Sequence, residues 1–384
     1  MDYTAVADGP LRDGVTWGNT SPGVEGVDFP DNTTPDLIRV ISGPAYTITD
    51  DLPVDAGFSQ KTIRMDSGNW NRNGPRHSFS IGVFELGDCK GNFDAAMNWN
   101  GTVAASDLVL ETVPSGASGT RFIINCDGVL NMSRAGGPAT ADFVIGGGSG
   151  PEGNVAAYVT VDGGRLFFQD DATDLVFNGD NASTLILTND AAAVVSLGGN
   201  SDLFINGGGG TIHIYDGTFS MDELILLTDI GAQSRFNLIV EGSEPNSITF
   251  NRILTDFAGQ NTGEGTFRFN LDDMGVTPIA LAGFFPFDKE QDFSEAIILS
   301  VQEGMGFDGS FTQHVALLDF NGGYLASNIA GIVDFNVDGN VYTNVVGGTV
   351  VTMSTASVDL EFRVRFDDQR PGANSEELWL EFIP

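Results

Sequence analysis

Lysine is nearly missing from this chain. Lys61, Lys90 and Lys289 are the only three, and with arginine the bases number 17 against 52 acids, a formal net charge of −35 over 384 residues. A balance this acidic excludes electrostatic attraction to nucleic acid or to anionic membranes. It is compatible with solubility, with neutralisation by divalent cations such as Ca²⁺, or with a polyanionic matrix. Histidine is as scarce: His77, His213 and His314 lie far apart, and no His/Cys metal spacing exists. Sustained helical periodicity is also absent, and the best short candidate, Asp94-Ala95-Ala96-Met97, is one turn at most. No apolar run approaches the roughly 20 residues that span a bilayer, so no membrane insertion is expected. The start, Met1-Asp2-Tyr3-Thr4, has neither a basic n-region nor an apolar h-region. Of a cytosolic chain and an exported chain whose signal peptide has gone, the low Lys and abundant Asn, Thr and Gly favour the second. Cys89 and Cys126 are the only cysteines, an even count that permits one disulfide in an oxidising compartment or two buried thiols. A bridge requires Cα atoms within roughly 7 Å, which rungs two apart in a stack would not allow.

What is present is a core's worth of apolar material, 41% hydrophobic and 10% aromatic, set out in a repeating phrase. From about Val144 to Leu227 short β-favouring runs alternate with Gly, Asn or Asp. Tyr158-Val159-Thr160-Val161 is closed by Asp162-Gly163-Gly164, Leu175-Val176-Phe177 by Asn178-Gly179-Asp180, and Leu203-Phe204-Ile205 by Asn206-Gly207. Strands this short, with turn formers every roughly 8–12 residues, predict an all-β array whose units must stack to bury their apolar faces. Such an array is a solenoid, with long side walls and two open ends.

Residues 1–35 are poor in periodicity and rich in Gly, Pro, Asp and Thr, and predict an extended N-terminal arm or cap. A repeat body is expected over 36–255. Its earlier strand candidates include Leu37–Ile41, Lys61–Met65, Phe79–Phe84 and Arg121–Ile124, separated by longer loops. The pattern changes over 256–384 to more aromatic connections, such as Phe284-Phe285-Pro286-Phe287, which predicts a β-rich C-terminal cap or small β-sandwich-like domain. The run Val358–Phe366 alternates apolar with charged residues, as a strand wet on one face does.

No constellation in the sequence carries catalytic chemistry. The adjacent pairs Asp50-Asp51, Asp170-Asp171, Asp272-Asp273 and Asp367-Asp368 supply carboxylates for glycan hydrolysis, but neighbours on a strand point to opposite faces and the lyase motifs are missing. No Gly-x-Ser-x-Gly elbow is present, and the glycine clusters at 146–148 and 207–210 lack the Lys-Ser/Thr of a phosphate cradle. Asp334–Asn340 is similar to the start of a calcium loop, but its twelfth position is Val345 where a bidentate acid is needed, and a β-turn is the better reading. His213, between Ile212 and Ile214, reads as the outward residue of an alternating strand. Sequons at Asn19, Asn32, Asn100, Asn131 and Asn181 are candidate glycosylation sites. Trp17, Trp70, Trp99 and Trp379 suit core packing, a subunit contact or a sugar-stacking platform.

The punctuated rungs, followed by Phe267-Arg268-Phe269-Asn270-Leu271-Asp272-Asp273-Met274-Gly275-Val276-Thr277-Pro278-Ile279 and the terminal Leu378-Trp379-Leu380-Glu381-Phe382-Ile383-Pro384, resemble secreted β-helical proteins of the PEP-CTERM sorting type from Planctomycetes and Verrucomicrobia-like bacteria. The resemblance implies export to the cell surface or the extracellular matrix. Together these readings predict a right-handed parallel β-helix that serves as a non-enzymatic extracellular structural protein. Its partner is then another copy of itself, joined into a filament or surface layer through Val15 and Trp17 in the arm and Trp379, Leu380 and Phe382 at the C-terminal end. A carbohydrate-binding surface adhesin is the alternative, with extracellular polysaccharide as partner, and a polysaccharide lyase or hydrolase ranks below both. No cofactor is expected.

Overall fold

In the computed structural model the chain is all-β, with strands throughout and a single 3-10 turn, Gly14–Trp17, among the described residues. The structure describes residues 2–19, 23–30, 37–40, 46–51, 57–74, 77–87, 95–101, 108–110, 121–126, 128–134, 142–146, 157–169, 173–179, 183–188, 193–197, 201–207, 210–215, 217–226, 235–240, 247–254, 264–270, 279–281, 297–300, 314–319, 335–337, 340–342, 350–354, 359–367 and 377–383.

The strands pair in parallel, each with a strand two or three positions further along the chain. A first ladder begins at Asp2–Thr4 on Leu37–Val40, continues through Gly57–Met65 and His77–Leu86, and passes to Arg121–Asn125 and Tyr158–Asp162. It returns at Ser183–Thr188, Gly210–Ile214 and Arg235–Val240 with Tyr158, Thr184, Thr211 and Asn237 in register. A second ladder runs through Thr47–Asp50, Gly68–Gly74, Ala95–Gly101, Gly128–Arg134, Arg165–Phe168, Val194–Leu197 and Thr218–Leu226. A third stacks Leu108–Leu110, Phe143–Ile145, Leu175–Gly179 and Leu203–Gly207.

Alternation along each strand sends every second side chain to the interior, and in-register pairing sets those side chains into columns. On the second ladder Ile48, Trp70, Met97, Leu130, Leu166 and Val195 form one buried column. Aromatic rings join the columns: Phe84 stacks on Phe122 with centroids 4.6 Å apart, and Trp70 and Phe143 meet those rings edge-on. Ala95, Met97 and Trp99 alternate inward along the strand Ala95–Gly101, so the best short helical candidate in the sequence, around Met97, is strand.

The bend from the first ladder into the second is tight. Small residues recur there, with Gly68, Ala95 and Gly128 in one register column. A Cβ on Gly128 would run into the Leu86 carbonyl, and Gly217, at φ +106, closes on the Ala193 carbonyl in the same way.

Within residues 2–19 two short strands pair with the chain's own next strands. Gly9–Pro10 pairs with Thr47–Asp50, Trp17 is buried edge-on to Tyr3 at 6.0 Å, and its Nε1 donates to the Leu11 carbonyl at 2.9 Å. At the other end, parallel pairing continues past residue 255 to Ile297–Ser300 on Phe335–Val337. Antiparallel pairing begins where His314–Asp319 meets Glu377–Ile383, which pairs with Asp359–Asp367, itself paired with Val350–Ser354.

Candidate binding surfaces

The N-terminal segment forms a cap whose inner side is Tyr3, Ala5, Leu11, Trp17 and Phe29, all buried. Its outer side carries four exposed valines, Val6, Val15, Val24 and Val27, at 48%, 47%, 60% and 57% exposure, beside the charged Asp8, Arg12 and Glu25. Local hydrogen bonds hold this outer layer. Asp13 caps the 3-10 turn by accepting from the Val15 N–H at 3.0 Å, Val6 N–H donates to the Thr16 carbonyl at 2.9 Å, and the Asp28 carboxylate accepts from Val24 N–H at 2.7 Å. Val15 therefore faces solvent, whereas Trp17 supports the cap from behind.

At the C-terminal end Trp379 and Leu380 are both buried, on opposite faces of Glu377–Ile383. Leu380 packs in register with Val364, and Trp379 lies under the Arg365 guanidinium at 5.7 Å while donating from Nε1 to Asp367 Oδ1 at 2.9 Å. Arg363 and Arg365 both approach Glu381, at 3.7 and 3.3 Å. The side chain of Phe382 lies outside the described residues. With Trp70 and Trp99 also fully buried, none of the four tryptophans offers an exposed ring for sugar stacking.

Asp50 and Asp51 separate as adjacent strand residues do. Asp50 points inward, where Arg72 NH1 donates to Oδ1 at 3.0 Å and Trp70 Nε1 donates to Oδ2 at 3.3 Å. Asp51 is exposed and accepts from the Arg12 N–H at 3.0 Å. Of the other acid pairs only Asp367 is described. His213 is half-exposed between buried Ile212 and Ile214 and stacks on Tyr215 at 4.0 Å, which places it on the outward side of its strand. Among the described residues no group of three or more His, Cys, Asp or Glu is arranged to hold a metal ion.

Two arrangements built from residues that resemble turn formers stand out. Asp142, Asp174 and Asp202 each precede a strand of the third ladder. The Asp142 carboxylate accepts from the Asp174 N–H at 3.1 Å, and the Asp174 carboxylate from the Asp202 N–H at 2.9 Å. The same residue type thus caps each successive strand, at the cost of stacking like charges. Burial foremost, then the charges of Asp142 and Asp202, push the Asp174 carboxyl up to about 7. The second arrangement is an amide ladder on the outward side of the second ladder. Asn98 Nδ2 donates to Asn71 Oδ1 at 2.8 Å, Asn131 Nδ2 to Asn98 Oδ1 at 2.9 Å, and Gln169 Nε2 to Asn131 Oδ1 at 3.4 Å. A sequence signal for the first was present, in Asp-Leu, Asp-Phe, Asp-Leu and Asp-Leu at 107, 142, 174 and 202.

The sequons divide by this geometry. Asn19 is exposed and donates from Nδ2 to the Asp28 carbonyl at 2.9 Å. Asn100 is half-exposed in a strand, and Asn131 is a member of the amide ladder, where a glycan would consume the nitrogen that bonds Asn98. Asn32 and Asn181 lie outside the described residues. Cys126 is disulfide-bonded, and the only other cysteine of the chain is Cys89, itself outside the described residues. Cys126 follows Arg121–Asn125, which pairs with His77–Leu86. Beside it Asn125 Nδ2 donates to the Gly87 carbonyl at 2.9 Å.

No protein-family model, curated protein or solved structure matches this chain.

Proposed function

We propose that the chain is an exported structural protein, wound as a right-handed parallel β-helix, whose copies join end to end into a filament or surface layer. The observation that carries this reading is the N-terminal cap, where four of the seven large exposed apolar residues of the described chain stand together on residues 6–27. In a chain of net charge −35 the side walls of two copies repel one another, and the exposed valines of the cap, which stand beside the Arg12–Glu25 pair, offer apolar contact at one end. Heterologous contacts at the ends of a stack propagate without closing. The disulfide at Cys126 supports folding in an oxidising compartment.

The test is negative-stain imaging and sedimentation of the purified full chain beside a Val15→Asp, Val24→Asp double variant. Regular fibres or layers from the native chain, reduced to single particles in the double variant, are the expected result. A native chain that stays a single particle at every concentration overturns the reading, and assembly that ignores the two substitutions overturns the role of the cap.

A further inference from the structure

Among the described residues, the outward side of the second ladder carries little charge for so acidic a chain. From Gly68–Gly74 to the first half of Thr218–Leu226, its described outward positions include no carboxylate, and Arg165 is their only charge. The central column reads Asn71, Asn98, Asn131, Phe167, Ser196, Ser220, each half-exposed.

Stacked asparagines suit such a column because one amide both donates and accepts, so identical residues one strand spacing apart, about 4.8 Å, satisfy each other. Each amide has two N–H donors and two oxygen lone pairs, and the ladder occupies one of each on Asn98, leaving the second pair for a ligand. The ladder also holds these side chains in place, so a ligand need not order them. The surface is a strand face and not a concave pocket, which fits a long extended molecule better than a compact one. A polyanion is repelled by the −35 charge, and a polycation is drawn to the acids elsewhere. A neutral polymer of hydroxyl groups matches both the missing charge and the paired donors and acceptors.

We propose that this face binds a neutral, hydroxyl-rich polysaccharide chain laid across the Asn71–Asn98–Asn131 amide ladder. The site is separate from the cap valines and does not depend on end-to-end assembly.

The test passes the full disulfide-bonded chain over columns of cellulose and of chitin, with alginate as the charged control. Retention on a neutral polymer, undiminished by added salt and absent on alginate, is expected. Asn98→Asp is expected to weaken retention at least about tenfold by losing a donor and adding a charge. Ser196→Asp, which leaves the amide ladder intact, is expected to weaken it too, and Thr160→Asp on the first ladder is expected to leave it unchanged. The cap double variant retains binding, which separates this site from the assembly surface. A folded native chain that passes both neutral columns overturns the proposal, as does equal retention of the Asn98 and Ser196 variants. Loss of self-association in those variants without loss of retention assigns the face to a second copy and overturns it as well.

Discussion

Replacing Asp174 by Asn tests whether the stacked carboxylates of the third ladder oppose folding at neutral pH. The Asp174 carboxyl rises from 3.8 to about 7 on folding. A carboxyl whose folded value lies above its unfolded one favours the folded state fully only below about pH 4, and that contribution is lost as pH climbs through 7. At 1.36 kcal/mol for each unit, the loss reaches about 4 kcal/mol. That figure is a ceiling, because the neighbouring charges of Asp142 and Asp202 are coupled to Asp174. Asn keeps an oxygen for the Asp202 N–H and removes the charge. The variant should therefore match the native chain near pH 4 and exceed it in urea unfolding at pH 8, by about 1–4 kcal/mol. The whole chain also repels itself more as its 52 acids ionise, so the informative quantity is the variant's gain at pH 8 minus its gain at pH 4. If that difference is zero, or if Asp174→Asn lowers stability at pH 8, the carboxylate column is not a source of strain and the reasoning fails.

Two further substitutions read the interior. Asp50→Asn should cost about 3–5 kcal/mol in urea unfolding, because it removes the counter-charge of an Arg72 side chain only 3% exposed, whereas a joint Asp50→Leu, Arg72→Met replacement should recover most of that loss. Gly128→Ala should lower the melting temperature by an amount corresponding to about 1–3 kcal/mol, since its methyl meets the Leu86 carbonyl and not a movable side chain; an unchanged melting temperature would mean the bend has slack.

Strands such as Tyr158–Asp162 and Leu203–Gly207 were legible in the sequence because their apolar alternation and glycine-containing turns are local. Gly68–Gly74, Ala95–Gly101 and Gly128–Arg134 were not, and they fall where longer loops were expected. Asparagine is depleted in strands because its amide competes for backbone partners nearby. Here that amide bonds instead to asparagines 27 and 33 residues away, a pairing invisible to any local window. The buried Asp50–Arg72 pair, 22 residues apart, escaped notice for the same reason. Trp17 and Trp379 were expected at contacts between copies of the chain, but both are buried within it, through partners such as the Leu11 carbonyl and Arg365 that no local window brings together.

Tyr158, Thr184 and Thr211 stand in register, and so do the residues that follow them on their three strands. On the proposed β-helix, gain or loss of one circuit, such as residues 158–183, would therefore leave inward-facing strand residues opposite inward-facing ones. Length along the stack becomes a quantity that evolution or an engineer can adjust in whole steps, with both ends of the molecule left as they are.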